Sequence, residues 1–319
     1  MNVFKFGGAS VKDADAVRNV TEIIRLFEGK KLLIVISAMG KTTNALELVV
    51  DALWKRNKSV FDEKIAELKS FHFSIADQLF PSSAHPVYQQ LNEVFQALEN
   101  RYQNEIPDHY NYEYDQIVSL GEVISTLIVE AYISMSGFAS KWVDARRLIR
   151  TNNVFRDAEV DWKRTEELIR STVLPAFEQA DIIITQGFIG HTAELLTTTL
   201  GREGSDFTAG IFAYCLDAEN VTIWKDVPGM LNADPKYFDN TIKLDKISFS
   251  EAIELSYYGA SVIHPKTLKP LQNKNISLFV KSFVAPQAEG TEIQSSGAFD
   301  HLVPSFIFKV NQLLISFRT

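Results

Sequence analysis

Cys215 is the only cysteine in the chain, so no intrachain disulfide can form. It falls in an apolar-periodic stretch and reads as a small core residue. No apolar run approaches the roughly 18 residues that a membrane helix needs. Met1 leads almost directly into a β-type run, which predicts no secretory leader. Positive charge is in deficit, at a net −8, which argues against general nucleic-acid binding. The six histidines form no triad pattern, and no repeat or low-complexity stretch is present. These absences predict a soluble, cytoplasmic globular chain whose partners are neither nucleic acid nor membrane.

What is present fills that frame. With 46% hydrophobic residues, 319 residues can bury the core of one large domain or two smaller ones. Continuous apolar runs at 31–37, 181–186, 221–224 and 276–280 read as buried strands. Helical patterns lie near 11–28, 161–179, 205–217 and 249–258. Their alternation predicts an α/β fold with a mostly parallel sheet covered on both faces. In such sheets ligands bind beyond the carboxyl ends of the strands, where the glycine turns of this chain fall. The stretch 41–135 breaks the alternation. It reads as a lobe of three or four long helices, interrupted near Pro81, Pro86 and Pro107. Residues 286–305 are turn-rich and read as a boundary, followed by two short strands at 305–309 and 312–317.

Two segments carry chemistry. The first, Thr197-Thr198-Thr199-Leu200-Gly201-Arg202-Glu203-Gly204-Ser205-Asp206, packs hydroxyls, glycines, an Arg and an Asp ahead of Phe207, Ile211 and Cys215 at helical spacing. It reads as a polar loop entering a helix N-terminus, which exposes free N–H groups and attracts anions. Arg202 can fork onto a carboxylate or phosphate, and Asp206 can hold Mg²⁺ or orient a lysine. A plainer reading gives Ser205 or Asp206 only a capping role. The second segment, Val3-Phe4-Lys5-Phe6-Gly7-Gly8, is a strand running into a Gly-Gly turn, with a helical pattern beyond. This is a phosphate-cradling arrangement, but no Gly-Lys-Ser/Thr follows the glycines as in a Walker A loop. The lysine sits on the strand instead.

Lys5-Phe6-Gly7-Gly8-Ala9-Ser10 resembles the Lys-Phe-Gly-Gly-Thr-Ser opening of the aspartate kinases, in the amino acid kinase superfamily. The 197–206 loop is similar to that family's Thr-Thr-Leu-Gly-Arg-Gly-Gly-Ser-Asp. Further matches are Ser37-Ala38-Met39-Gly40 with Thr43-Asn44, Ser119-Leu120-Gly121-Glu122, Thr185–Gly190, Trp224–Gly229 and Gly259–Pro265, so the resemblance covers nearly the whole chain. Three positions depart from the pattern: Ala9 replaces Thr, Glu203 replaces Gly, and Ser261 replaces a Lys near the nucleotide. Lys266 is a nearby candidate to compensate for the last.

The resemblance implies a three-layer αβα sandwich, with residues 1–300 as catalytic domain and 301–319 as the start of a truncated ACT-type regulatory region. It implies ATP-dependent phosphorylation of the side-chain carboxylate of L-aspartate to 4-phospho-L-aspartate, the first step toward lysine, threonine and methionine. Mg²⁺ would be carried by ATP near Asp206, and a homodimer insensitive to lysine and threonine is expected. Lys5 and Asp206 would be catalytic. Thr43, Glu122, Phe188, Arg202 and Ser205 would bind substrate, with Arg202 on the α-carboxylate and Glu122 on the α-ammonium. Lys5, Gly7, Gly8, Ser37, Gly40, Lys225, Asp226, Gly229, Leu231 and Lys236 would contact ATP. A carboxylate nucleophile is already ionised at neutral pH, so no general base is needed. Rival readings are a sister kinase acting on glutamate, N-acetylglutamate, carbamate or UMP, and a non-catalytic protein on the same scaffold. Glu122 and Arg202 favour a free amino acid, and retention of Lys5 and Asp206 favours an enzyme.

Overall fold

The computed structural model describes residues 1–103, 109–258, 263–295 and 303–306. Its centre is an eight-stranded sheet built from β1 (Asn2–Phe6), β2 (Leu32–Ile36), β3 (Ser140–Val143), β4 (Ile182–Gln186), β7 (Asn220–Lys225), β8 (Lys246–Ser248), β9 (Ser277–Ser282) and β10 (Thr291–Gln294). The spatial order is β3-β4-β2-β1-β7-β9-β10-β8. Every neighbouring pair is parallel except β9 with β10. A separate antiparallel pair joins β5 (Ile189–His191) to β6 (Thr197–Thr199).

The apolar strands are buried on both faces, as parallel strands with crossover helices must be. Side chains alternate between two cores. Phe4, Phe6, Ile34, Ile36, Ile184 and Trp224 enter one core with α1 (Ala14–Arg25) and the helical lobe. Val3, Leu33, Val35, Ile183, Val221 and Ile223 enter the other. There they meet α7 (Trp162–Ala176), α8 (Gly204–Leu216), α9 (Phe249–Tyr258) and α10 (Pro265–Lys274). The layers are therefore helix, sheet, helix, as the sequence predicts. Period two on β1 also turns Lys5 toward the α8 face, beside Val3.

Among its described residues the lobe has five α-helices rather than three or four: α2 (Thr42–Trp54), α3 (Lys58–Leu79), α4 (Pro86–Asn100), α5 (Tyr110–Val118) and α6 (Leu120–Met135). Pro86 starts α4, with His85 accepting from the Val87 N–H as its cap. Only Ser119, itself in helical conformation, separates α5 from α6. Together they are long and apolar enough to cross a membrane, contrary to the expectation from the sequence. Most of that stretch is buried inside the protein, which is what a core helix does.

Two further expectations change. The turn-rich stretch 286–305 contains β10, which pairs within the main sheet, so it is no boundary up to Gln294. Of the proposed strand at 305–309, Ser305 and Phe306 are not in a strand. Residues 307–309, the strand at 312–317, Pro107 and Ser261 lie outside the described residues.

Candidate active site

Loops leaving β1, β2 and β4 converge with the N-terminus of α8 at the carboxyl rim of the sheet. The β1 and β2 turns touch backbone to backbone: the Gly40 N–H donates to the Gly8 carbonyl at 3.0 Å. A Cβ on Gly8 would stand 2.7 Å from the Ala38 carbonyl oxygen, so glycine is required there. The β4 turn approaches α8 equally closely, since a Cβ on Gly187 would lie 2.5 Å from the Ser205 Cβ. Between these turns opens a cavity of about 520 Å³.

Lys5 and Asp206 meet in it. The Lys5 Nζ lies 2.6 Å from Asp206 Oδ1, and both residues are buried. Lys225, at the end of β7, brings its Nζ to 3.4 Å from Asp206 Oδ2. Burial pushes the Asp206 carboxyl up, but the two ammonium groups pull harder and the net shift is down, leaving it ionised. Asp206 therefore orients two lysines rather than capping α8. The cap position falls on Glu203, whose φ of 53° is left-handed and whose side chain makes no cap bond. A glycine would sit there without strain, which is a physical reason for the Gly that the resembling motif carries where this chain has Glu203.

Glu122, in the first turn of α6, points into the same cavity. It is 3% exposed, and its Oε1 accepts the Ala38 N–H at 3.3 Å. Its Oε2 is buried with no partner among the described residues. Burial raises its pKa to about 8, against the downward pull of the Ala38 N–H and of Lys5. The folded protein thus holds a proton that the unfolded chain releases near 4.5. Unfolding free energy should fall as pH rises from about 4.5 to about 8. Glu122→Gln, neutral throughout, should remove that part of the slope. Urea titrations of both proteins across this range measure it, and equal slopes would overturn the assignment.

The cavity collects Lys5, Gly8, Ser37, Gly40, Thr43, Glu122, Phe188, Arg202, Ser205, Asp206 and Lys225 from the sequence prediction. Gly7 sits just behind Lys5, where a Cβ would lie 3.4 Å from the Lys5 Nζ. Asp226, Gly229, Leu231 and Lys236 do not line it. Asp226 and Lys236 are exposed, and Gly229 is packed against Thr291. Lys266 does not replace a nucleotide lysine in the cavity; its Nζ pairs with Asp157 at 2.7 Å. Sequence reasoning missed Tyr114 and Arg156, which also line the cavity. His264 and Pro265 open α10 as a cap and first turn, and Cys215 is buried with its thiol pushed up to about 12.

A parallel sheet whose glycine turns, paired lysines and helix N-terminus converge on one rim, beside a buried carboxylate, is the frame of a phosphoryl-transfer enzyme for small acids. The chain belongs to the amino acid kinase family, whose profile matches residues 1–282, and within it to the aspartokinases. It is 34% identical to the lysine-sensitive aspartokinase 3 of Escherichia coli over 318 residues, covering 99% of this chain and 69% of that protein. It is 30% identical to the chloroplastic aspartokinase 2 of Arabidopsis thaliana, covering 98% of this chain and 58% of that one. The crystal structure of E. coli aspartokinase III with aspartate and ADP superposes with a TM-score of 0.84 at 34% identity. That match covers 94% of this chain and 65% of the other, so the chain spans about two thirds of that solved protein. A uridylate kinase from Archaeoglobus fulgidus, at 15% identity and a TM-score of 0.50, shares the fold.

Proposed function

We propose that the chain transfers the γ-phosphoryl group of ATP to the side-chain carboxylate of L-aspartate, yielding ADP and 4-phospho-L-aspartate. The observation that carries this reading is the Lys5–Asp206–Lys225 cluster facing Glu122 and Arg202 across one cavity. The kinship with aspartokinases supports the choice of substrate. A carboxylate oxygen of aspartate attacks the γ-phosphorus and the bond to the β-phosphate oxygen breaks, with ADP as leaving group. No proton has to be removed from the nucleophile. The work left to the protein is alignment and charge neutralisation. Lys5 and Lys225 neutralise the phosphate oxygens, and Asp206 fixes both ammonium groups in advance. Gly8, Ser37 and Gly40 bring backbone close to the phosphates. Arg202 pairs with the α-carboxylate, and the unpartnered Glu122 Oε2 accepts a hydrogen bond from the α-ammonium, whose charge favours the ionised carboxylate and sends the Glu122 proton to solvent. Thr43, Phe188 and Ser205 complete the amino-acid side.

Mg²⁺ belongs to the same reading. The described residues hold no cluster of three His, Cys, Asp or Glu, and both Asp206 oxygens face lysines. That donor set suits a magnesium ion carried mainly by phosphate oxygens. Its chemistry would be to neutralise charge on the transferring group. A cytoplasmic homodimer with residues 1–300 as catalytic unit completes the proposal.

Aspartate with Mg-ATP should yield an acyl phosphate trappable by hydroxylamine as the hydroxamate. ADP release should be faster with aspartate than with glutamate, N-acetylglutamate or UMP. Faster turnover of any of those three refutes the assignment.

A further inference from the structure

Arg156 stands on the strap between Arg150 and Val160, far in sequence from every motif of the site. Its guanidinium lies 4.2 Å from the centroid of the Tyr114 ring. That ring is itself fixed, because the Tyr114 hydroxyl donates to Glu47 Oε1 at 2.7 Å. The Arg156 backbone adopts a φ of 74°, a left-handed conformation that disfavours an L side chain. It is held there by its N–H, which donates to Asp115 Oδ2 at 3.0 Å. Asp115 is fully buried and also accepts the Thr199 N–H at 2.8 Å and the Thr199 hydroxyl at 2.7 Å. One carboxylate thus ties α5, the strap and the strand leading into Gly201-Arg202. The Arg156 carbonyl oxygen lies beside Gly201, at 3.4 Å from where a Cβ would stand, so the strap passes next to the turn that carries Arg202. Both line the cavity that holds Glu122. Among the described residues no carboxylate forms an ion pair with the Arg156 guanidinium.

A guanidinium stacked in place, in a backbone conformation that needs external support, turned to a cavity without its own counter-ion, is suited to an anionic ligand. We propose that Arg156 joins Arg202 in clamping the α-carboxylate of the amino-acid substrate. This rests on the reading of the site as an amino acid kinase. The side-chain carboxylate is left to the phosphate side, where it must keep an oxygen free to attack.

β-Alanine is aspartate without its α-carboxylate, and it provides the contrast. Arg156→Gln should raise the aspartate KM on the order of tenfold, as loss of a charge-assisted pair does. The ATP KM and the competitive inhibition constant of β-alanine should stay within about twofold, and Arg156→Lys should recover only part of the loss. Titration calorimetry with aspartate and with β-alanine reads the same contrast without turnover. A wild-type protein that binds aspartate but makes no hydroxamate would sink the kinase reading and leave this test standing. An unchanged aspartate affinity in Arg156→Gln overturns the proposal. So does an equal loss for β-alanine, which would mark a structural role, or a loss of ATP affinity, which would place Arg156 on the phosphate side.

Discussion

Lys5→Ala should lower kcat by about 10²–10³ and leave the aspartate KM nearly unchanged. The ammonium group lies on a central strand with its direction set before any ligand arrives, by a 2.6 Å contact to Asp206. Charge placed in advance costs no reorganisation when negative charge shifts between oxygens, so its loss appears in the chemical step. On the proposed reading aspartate is held chiefly by Arg202 and Glu122, so its KM should respond less than kcat. Steady-state kinetics with aspartate and Mg-ATP, on a variant whose circular dichroism matches the wild type, measure this. A kcat within a few-fold of wild type would make Lys5 a structural counter-ion to Asp206.

Asp206→Asn should cost both activity and stability. It leaves two ammonium groups near a buried site without their carboxylate, and breaking a buried pair from one side costs about 3–5 kcal/mol. Part of the Lys225 side chain reaches solvent, which places the effect toward the lower end. Removing Lys5 as well, in a Lys5→Met/Asp206→Asn double variant, should cost less than the sum of the single changes, since the orphaned charge disappears with its partner. The pH dependence has a defined sign. The folded pKa of Asp206 is depressed, so its contribution is complete above the unfolded value of 3.8 and is lost as pH falls through the folded one. The stability gap between wild type and Asp206→Asn should therefore be widest near neutrality and shrink in acid. Denaturant titrations at pH 7 and pH 3 check it; a gap that grew in acid would contradict the pairing.

The sheet and the glycine turns at its rim were legible because local signals carry them. Apolar runs announce strands and glycine turns announce loops at their ends, whereas the face of β1 that carries Lys5 follows from the packing of Val3 beside α8. On the opposite wall of the cavity, Glu122 and Arg202 were marked by motifs. Arg156 and Tyr114 were not. The strap has no periodicity, and its place in the site is imposed by Asp115, whose carboxylate reaches it from a helix remote in sequence. The run after β7 stands apart from the cavity. Asp226, Gly229, Leu231 and Lys236 lie in or after a recognisable Trp-Lys-Asp motif, but of that stretch only Lys225 lines the cavity. Strand β10 was hidden in a turn-rich stretch because its four residues alternate too briefly to stand out.

The meeting of Lys5 with Asp206 binds the start of the sheet to a helix that forms only after β4, the lobe and the β5–β6 hairpin have been passed. Strand β1 lies at the middle of the sheet, between β2 and β7, so it is complete only when both flanks have docked. No contiguous half of the chain can contain the site. A nascent chain released before α8, or a fragment cut within the lobe, would carry the glycine turn and the lysine but no counter-charge to aim it. Assembly of the fold is therefore a precondition for the cavity, and a chain cut short before α8 lacks the Lys5–Asp206 pair.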